Sequence, residues 1–102
     1  MEFTIEKLEE TYSLFKSEFV DSRSENQFYS LLWHVLIDSR HKVGISRLKF
    51  NLIAEDSSYQ LGVTTAKSQS VNLTYAYFKN NTFDSVNVIV NKLNTHLYDR
   101  LN

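Results

Sequence analysis

The chain has 102 residues, a net charge of −1 and a hydrophobic fraction of 42%, so residues 1–102 are expected to form one small globular domain with its own core. It has no cysteine, which excludes disulfides, thiolate metal sites and cysteine nucleophiles and fits a reducing compartment. The first residues lack the layout of a signal peptide, and residues 31–37 are too short an apolar run to cross a bilayer. We therefore expect a cytoplasmic protein that does not enter a membrane.

The charged residues divide the chain into an acidic and a basic part. Residues 1–39 contain eight acidic and three basic residues, a net charge of −5, whereas residues 40–80 contain six basic and two acidic residues, a net charge of +4. This division favours binding to a polyanion or association of opposite faces of two copies. Local scatter of charge in a small protein explains it equally well.

An amphipathic first helix is predicted near the N-terminus. Thr4 is suited to cap this helix, and Glu6 lies near the positive end of the helix dipole. The apolar stripe of the helix has spacings of three and four residues and consists of Ile5, Leu8, Tyr12, Phe15 and Phe19.

A second helix is predicted to begin within residues 24–27, where Ser24 and Gln27 have the spacing of a capping box. In residues 28–37, which follow, apolar side chains cover most of the helix circumference. A helix of this kind is typically contacted on several sides, so we expect it in the core or at a subunit interface.

Three strands are predicted in the middle of the chain, because apolar and polar residues alternate over residues 47–54, 59–65 and 71–77. Short polar segments separate them, which predicts an antiparallel meander. In the third strand, large side chains are expected to share one face and cover the core, with the tyrosine hydroxyls at its edge. These residues are Val71, Leu73, Tyr75 and Tyr77.

A last helix is predicted from Thr82, its cap, with Asp84 in the first turn. Its apolar stripe consists of Val86, Val90, Leu93, Leu97 and Leu101. The predicted fold is therefore an α+β domain with two N-terminal helices, a three-stranded antiparallel meander and a C-terminal helix.

Residues 61–71 allow an alternative. They resemble the turn and the start of the recognition helix in helix-turn-helix proteins, which place a glycine, here Gly62, in the tight turn. The resemblance implies a mainly α, winged-helix or helix-turn-helix fold, and it implies that Thr64, Lys67, Ser68 and Gln69 contact DNA. We favour the strand interpretation, because residues 71–77 give a full apolar face as a strand and only a thin one as a helix.

No residue pattern predicts catalysis, a cofactor or a metal site. Both glycines are isolated, which argues against a phosphate-binding loop. His34, Asp38 and His41 could assemble acid–base chemistry, and His34 with Asp38 could bind a metal, if the fold brought them together. A core or interface histidine beside a helix end explains these residues more simply.

The sequence therefore predicts a non-enzymatic cytoplasmic binding or regulatory protein that acts through contacts with another protein or with a second copy as a homodimer. The alternative is a DNA-binding regulator of the winged-helix or helix-turn-helix class. The residues predicted to contact a protein partner are Tyr29, Trp33, Arg40, Lys42, Arg47 and Lys49.

Overall fold

The computed structural model describes residues 3–40, 49–56, 58–64, 70–71 and 76–98 of the chain, and it shows a small α+β fold. Two helices precede an antiparallel sheet and one helix follows it, as predicted. The elements are α1 (Ile5–Phe15), a 3₁₀ turn (Lys16–Glu18), α2 (Ser22–Arg40), β1 (Lys49–Glu55), β2 (Ser58–Thr64), β3 (Ser70–Val71) and α3 (Phe83–Tyr98).

The first helix begins where the sequence predicts and ends earlier. The backbone N–H of Lys7 donates to Thr4 Oγ1 at 3.2 Å, so Thr4 is the cap. The helix stops at Phe15, and Phe19 is extended. The prediction that Phe19 continues the helical stripe is therefore wrong. Its ring instead stacks on those of Phe28 and Phe78, at centroid distances of 4.7 and 4.8 Å.

The second helix starts at Ser22, ahead of the predicted capping box. The N–H of Ser24 donates to Asp21 Oδ1 at 2.8 Å, so Asp21 caps the helix and the prediction of Ser24 as cap is wrong. Ser24 is buried, and its hydroxyl accepts the N–H of Tyr77 at 3.0 Å. The expectation that the helix lies in the core is confirmed by the buried side chains of Phe28, Leu31, Leu32, Val35 and Leu36.

The β1–β2 hairpin confirms the first two predicted strands. The strands pair antiparallel from Lys49 opposite Thr64 to Glu55 opposite Ser58, and Asp56 takes a positive φ of 45° in the turn. Gly62 lies inside β2, where the helix-turn-helix interpretation requires a turn. The hairpin directs its core-facing side chains toward the helices, and those fully buried are Phe50, Leu61 and Val63.

The predicted third strand lies largely outside the described residues, and its two ends do not share one register with β2. Val71 pairs with Val63, and Tyr77 forms a bridge with Gln60. The two pairings are six positions apart in one segment and three in the other, so they belong to different registers. Ala76 and Phe78 are buried whereas Tyr77 is half-buried, so the expectation that Tyr77 shares the core face is wrong.

Residues 76–79 connect the helices to the sheet. The N–H of Leu61 donates to the Ala76 carbonyl at 3.3 Å, and on the other side the N–H of Val20 donates to the Tyr77 carbonyl at 2.8 Å. The N–H of Lys79 donates to the carbonyl of Glu18 at 2.8 Å. One extended segment therefore holds the connection between α1 and α2 against β2.

The last helix covers the core. Thr82 caps it by accepting the N–H of Ser85 at 3.2 Å, as predicted. Four residues of the predicted stripe are buried, and Leu101 lies outside the described residues. The buried four are Val86, Val90, Leu93 and Leu97.

Candidate protein-binding surface

Three aromatic side chains of α1 and α2 meet at the surface of the domain. Tyr29 and Trp33 are one helical turn apart on α2, and their ring centroids lie 6.1 Å apart in an edge-to-face arrangement. Tyr12 of α1 contacts Tyr29 in the same way at 4.7 Å. All three side chains are half-buried. We call Tyr12, Tyr29 and Trp33 the aromatic surface.

The aromatic surface rests on the core. The ring of Tyr12 also lies 6.3 Å from that of Phe28, which is fully buried. Phe28 in turn stacks on Phe19. The three half-buried rings are thus backed by close-packed side chains, which fix their positions before any partner binds.

Polar groups fix the edge of this surface. The Tyr29 hydroxyl donates a hydrogen bond to the Glu9 carboxylate. This bond raises the pKa of Tyr29 above its ordinary value of 10.0, because ionisation would remove the donor and place two negative charges side by side; a hydrogen bond from Trp33 opposes the rise and is the weaker effect. The Glu9–Tyr29 contact therefore ties the two helices together.

A cation already lies over one of the rings. The Nζ atom of Lys16 is 5.7 Å from the centroid of the Tyr12 ring, which is within the range of a cation–π interaction. The surroundings are acidic, since Glu6, Glu9 and Glu10 of α1 are all exposed. The aromatic surface thus offers electron-rich rings next to carboxylates, an arrangement that attracts positively charged groups.

The structure brings together two of the six residues predicted to contact a protein partner, Tyr29 and Trp33. Arg40 is the last residue of α2 and Lys49 the first of β1. Lys42 and Arg47 lie outside the described residues. The contact of these four basic residues with a partner therefore stays a prediction.

The residues proposed to contact DNA are placed only in part. Thr64 is the last residue of β2, paired with Lys49. Lys67, Ser68 and Gln69 lie outside the described residues. The strand that contains Thr64 does not provide the helix start that the helix-turn-helix resemblance implies.

Sequence reasoning missed Tyr12 and Glu9 as members of the site. Tyr12 falls in the apolar stripe of α1, and this spacing predicts a core residue. Its residue type distinguishes it from the fully buried residues of the stripe, because a tyrosine at the margin of a helix stripe keeps its hydroxyl near water. Glu9 has no signal of its own, since its partner Tyr29 lies 20 residues further along the chain.

The described residues do not support the acid–base site or the metal site considered for His34, Asp38 and His41. His34 is exposed, His41 lies outside them, and within them no three His, Cys, Asp or Glu side chains form a group able to hold a metal ion. None of the described helices is both long and apolar enough to cross a membrane. A cleft of about 450 Å³ lies beside α3 and is lined by Val88, Asn91, Lys92, Thr95 and His96.

Comparisons of the chain with protein-family models, with curated proteins and with solved structures give no match.

Proposed function

We propose that this chain is a small non-enzymatic binding protein that holds a partner protein on its aromatic surface. The supporting observation is the convergence of Tyr12, Tyr29 and Trp33 on a rigid, half-exposed patch. Tyrosine and tryptophan are the residues that most often dominate binding energy at protein interfaces, since they offer large contact area with few rotatable bonds. Contacts that are already fixed in the free protein also lower the entropy cost of binding.

The partner is a segment with a positively charged side chain next to an apolar one. Glu9 borders the rings, and Lys16 lies over the Tyr12 ring, so the patch already holds a cation of its own chain. An arginine of a partner can replace Lys16 on the ring and can pair with the carboxylates of α1. Binding should weaken as salt rises, because the carboxylates of this patch are exposed.

The chain carries its own reporter for this proposal. Trp33 is the only tryptophan, so its fluorescence reports directly on the aromatic surface. The probe is a set of synthetic peptides in which arginine alternates with leucine, compared with peptides of the same length in which glutamate replaces arginine. We expect the arginine peptides to shift and quench the emission of Trp33 and the glutamate peptides to leave it unchanged.

Variants locate the binding on the surface. Tyr29→Ala is expected to weaken peptide binding about thirtyfold, which is the effect of removing a residue worth ~2 kcal/mol at an interface. The matched control is Leu14→Ala, since Leu14 is 56% exposed and lies two positions after Tyr12, on the other side of α1. Equal binding of both peptide sets, or an equal effect of both variants, would contradict the proposal.

The DNA-binding alternative, in which residues 45–71 contact DNA, stays a prediction, and no described contact favours it. A cytoplasmic location remains part of the proposal, and it rests on the absence of cysteine from the chain.

A further inference from the structure

The outer edge of β1 has backbone groups that point away from β2. The N–H of Phe50 donates to Asn94 Oδ1 at 2.8 Å, and the carbonyl of Phe50 accepts from Asn94 Nδ2 at 2.9 Å. The backbone N–H and carbonyl of Phe50 therefore point away from β2. By the alternation of an antiparallel pair, the N–H and carbonyl groups of Leu52 and Ala54 point the same way. Within the described part of the chain, these two residues have no hydrogen-bond partner on that side.

The open part of this edge has two defined ends. At one end the Asn94 amide occupies both backbone groups of Phe50, as a neighbouring strand would. At the other end the strand stops at Asp56, whose φ of 45° turns the chain toward β2. The open groups of this edge are therefore the outward N–H and carbonyl groups of Leu52 and Ala54.

Helix α3 packs against β1 but leaves the outward backbone groups of Leu52 and Ala54 without a hydrogen bond from the described residues. Its start lies at the other strand, because Asn81 Oδ1 accepts the N–H of Tyr59 at 2.8 Å and the Phe83 ring lies 6.0 Å from that of Tyr59. The helix makes its hydrogen bonds with the edge of β1 only through Asn94, near its end. Ala54 is accordingly exposed.

We propose that this edge pairs antiparallel with the same edge of a second copy, about a two-fold axis through Ile53. Leu52 then lies opposite Ala54 of the second copy, and Ala54 opposite its Leu52. Each of these pairs exchanges two backbone hydrogen bonds, so all the open groups of both edges are used. The backbone groups of Phe50 are already bonded to Asn94. In this register Phe50 lies opposite Asp56 of the second copy, which follows the end of β1 at Glu55.

The residues brought together by this register are compatible. Ile53 lies opposite Ile53 of the second copy, in a non-hydrogen-bonded pair where side chains approach most closely. Glu55 falls opposite Asn51, so no like charges oppose each other. The segment also lacks the lysine, proline or inward charge by which exposed strands commonly avoid pairing. This register is independent of the aromatic surface, which lies on α1 and α2.

The contact is small, since it contains four hydrogen bonds and one central apolar pair. Interfaces of this size are weak, so we expect a dimer that dissociates on dilution in the micromolar to millimolar range. Sedimentation equilibrium of the full chain over that range tests the association. Hydrogen exchange tests its position, because the amides of Leu52 and Ala54 should be protected at high concentration and not at low concentration.

Two variants test the register. Ala54→Pro removes an N–H that has no partner among the described residues, so the hairpin should stay intact and the dimer should be lost. Ile53→Lys and Ile53→Glu place like charges at the two-fold axis, and each should be monomeric. A mixture of the two should associate again, because position 53 faces itself. The matched control is Ser13→Lys with Ser13→Glu on the exposed side of α1, which should leave self-association unchanged.

The proposal is overturned if the chain is monomeric at every concentration. It is also overturned if a folded Ala54→Pro protein, checked by circular dichroism, still dimerises, or if the mixture of charged variants at position 53 fails to associate. A dimer lost in Tyr29→Ala and retained in Ala54→Pro would instead assign self-association to the aromatic surface. Failure of the peptide-binding experiment does not affect this test, since its readout uses no peptide.

Discussion

Replacing Asn94 by alanine is the sharpest test of how α3 holds the sheet. The Asn94 amide accepts the N–H of Phe50 and donates to its carbonyl, so it completes both hydrogen bonds of a residue that is only 1% exposed. A buried donor or acceptor left without a partner costs about 1–3 kcal/mol. Asn94 is itself half-buried, so water can reach part of the vacated space. We therefore expect Asn94→Ala to lower the free energy of unfolding by about 2–3 kcal/mol, toward the low end of the summed range.

Urea unfolding followed by Trp33 fluorescence measures this change. The midpoint should fall while the slope stays the same, because the variant alters stability and not the surface exposed on unfolding. The melting temperature should fall by roughly 10–20 °C, since a domain of this size loses about 4–8 °C for each kcal/mol. The control is Asn91→Ala on the exposed side of α3, which should be neutral or slightly stabilising because alanine favours helix. A loss below about 0.5 kcal/mol for Asn94→Ala would refute the reasoning.

Three further changes have defined outcomes. Ser24→Ala should lower the free energy of unfolding by about 1–3 kcal/mol, because the N–H of Tyr77 loses its acceptor inside the protein. Tyr29 should titrate above 10.0, and Glu9→Gln should lower its pKa; the stability that the pair contributes should be present at neutral pH and fall as the pH rises through the raised pKa. Asp56→Val should cost about 1–2 kcal/mol, because a β-branched residue is crowded at a φ of 45°, whereas Asp56→Gly should not destabilise the hairpin.

Each of these has a simple check. Ser30→Ala on the exposed side of α2 is the control for Ser24→Ala, and equal losses would show that the hydroxyl of Ser24 is not special. Tyrosinate absorbance follows the titration, and Tyr29→Phe identifies which of the six tyrosines moves. An unchanged titration in Glu9→Gln would contradict the assigned contact. Thermal melts compare the two Asp56 variants, and equal melting temperatures would argue against crowding at this position.

Local signals in the sequence predict the elements that depend on nearby residues. Thr4 and Thr82 cap helices because their partners are three residues away, at Lys7 and Ser85. The stripe of α3 is equally local, since one face of a helix is read from spacings of three and four residues. The apolar character of α2 likewise predicts Tyr29 as a contact residue.

Distant partners explain the predictions that are wrong. The spacing of Phe19 fits the stripe of α1, but its ring stacks on Phe78, which lies 59 positions further along the chain and cannot be seen by local spacing. Ser24 has the pattern of a capping box, yet Asp21 serves as the cap and frees the Ser24 hydroxyl for Tyr77. The aromatic surface was incomplete for the same reason, because Tyr12 joins it only through the packing of α1 on α2.

The hydrogen bonds between residues 18–20 and residues 77–79 cannot form until both segments have been synthesised. Phe19 leaves the ribosome well before Phe78, and at about 5–20 residues per second the interval is roughly 3–12 s. During that time α1 and α2 lack the ring that covers Phe19 and the strand that holds their connection. The nascent chain therefore leaves one face of the Phe19 ring uncovered until Phe78 emerges, and a chaperone can bind this apolar surface during that interval.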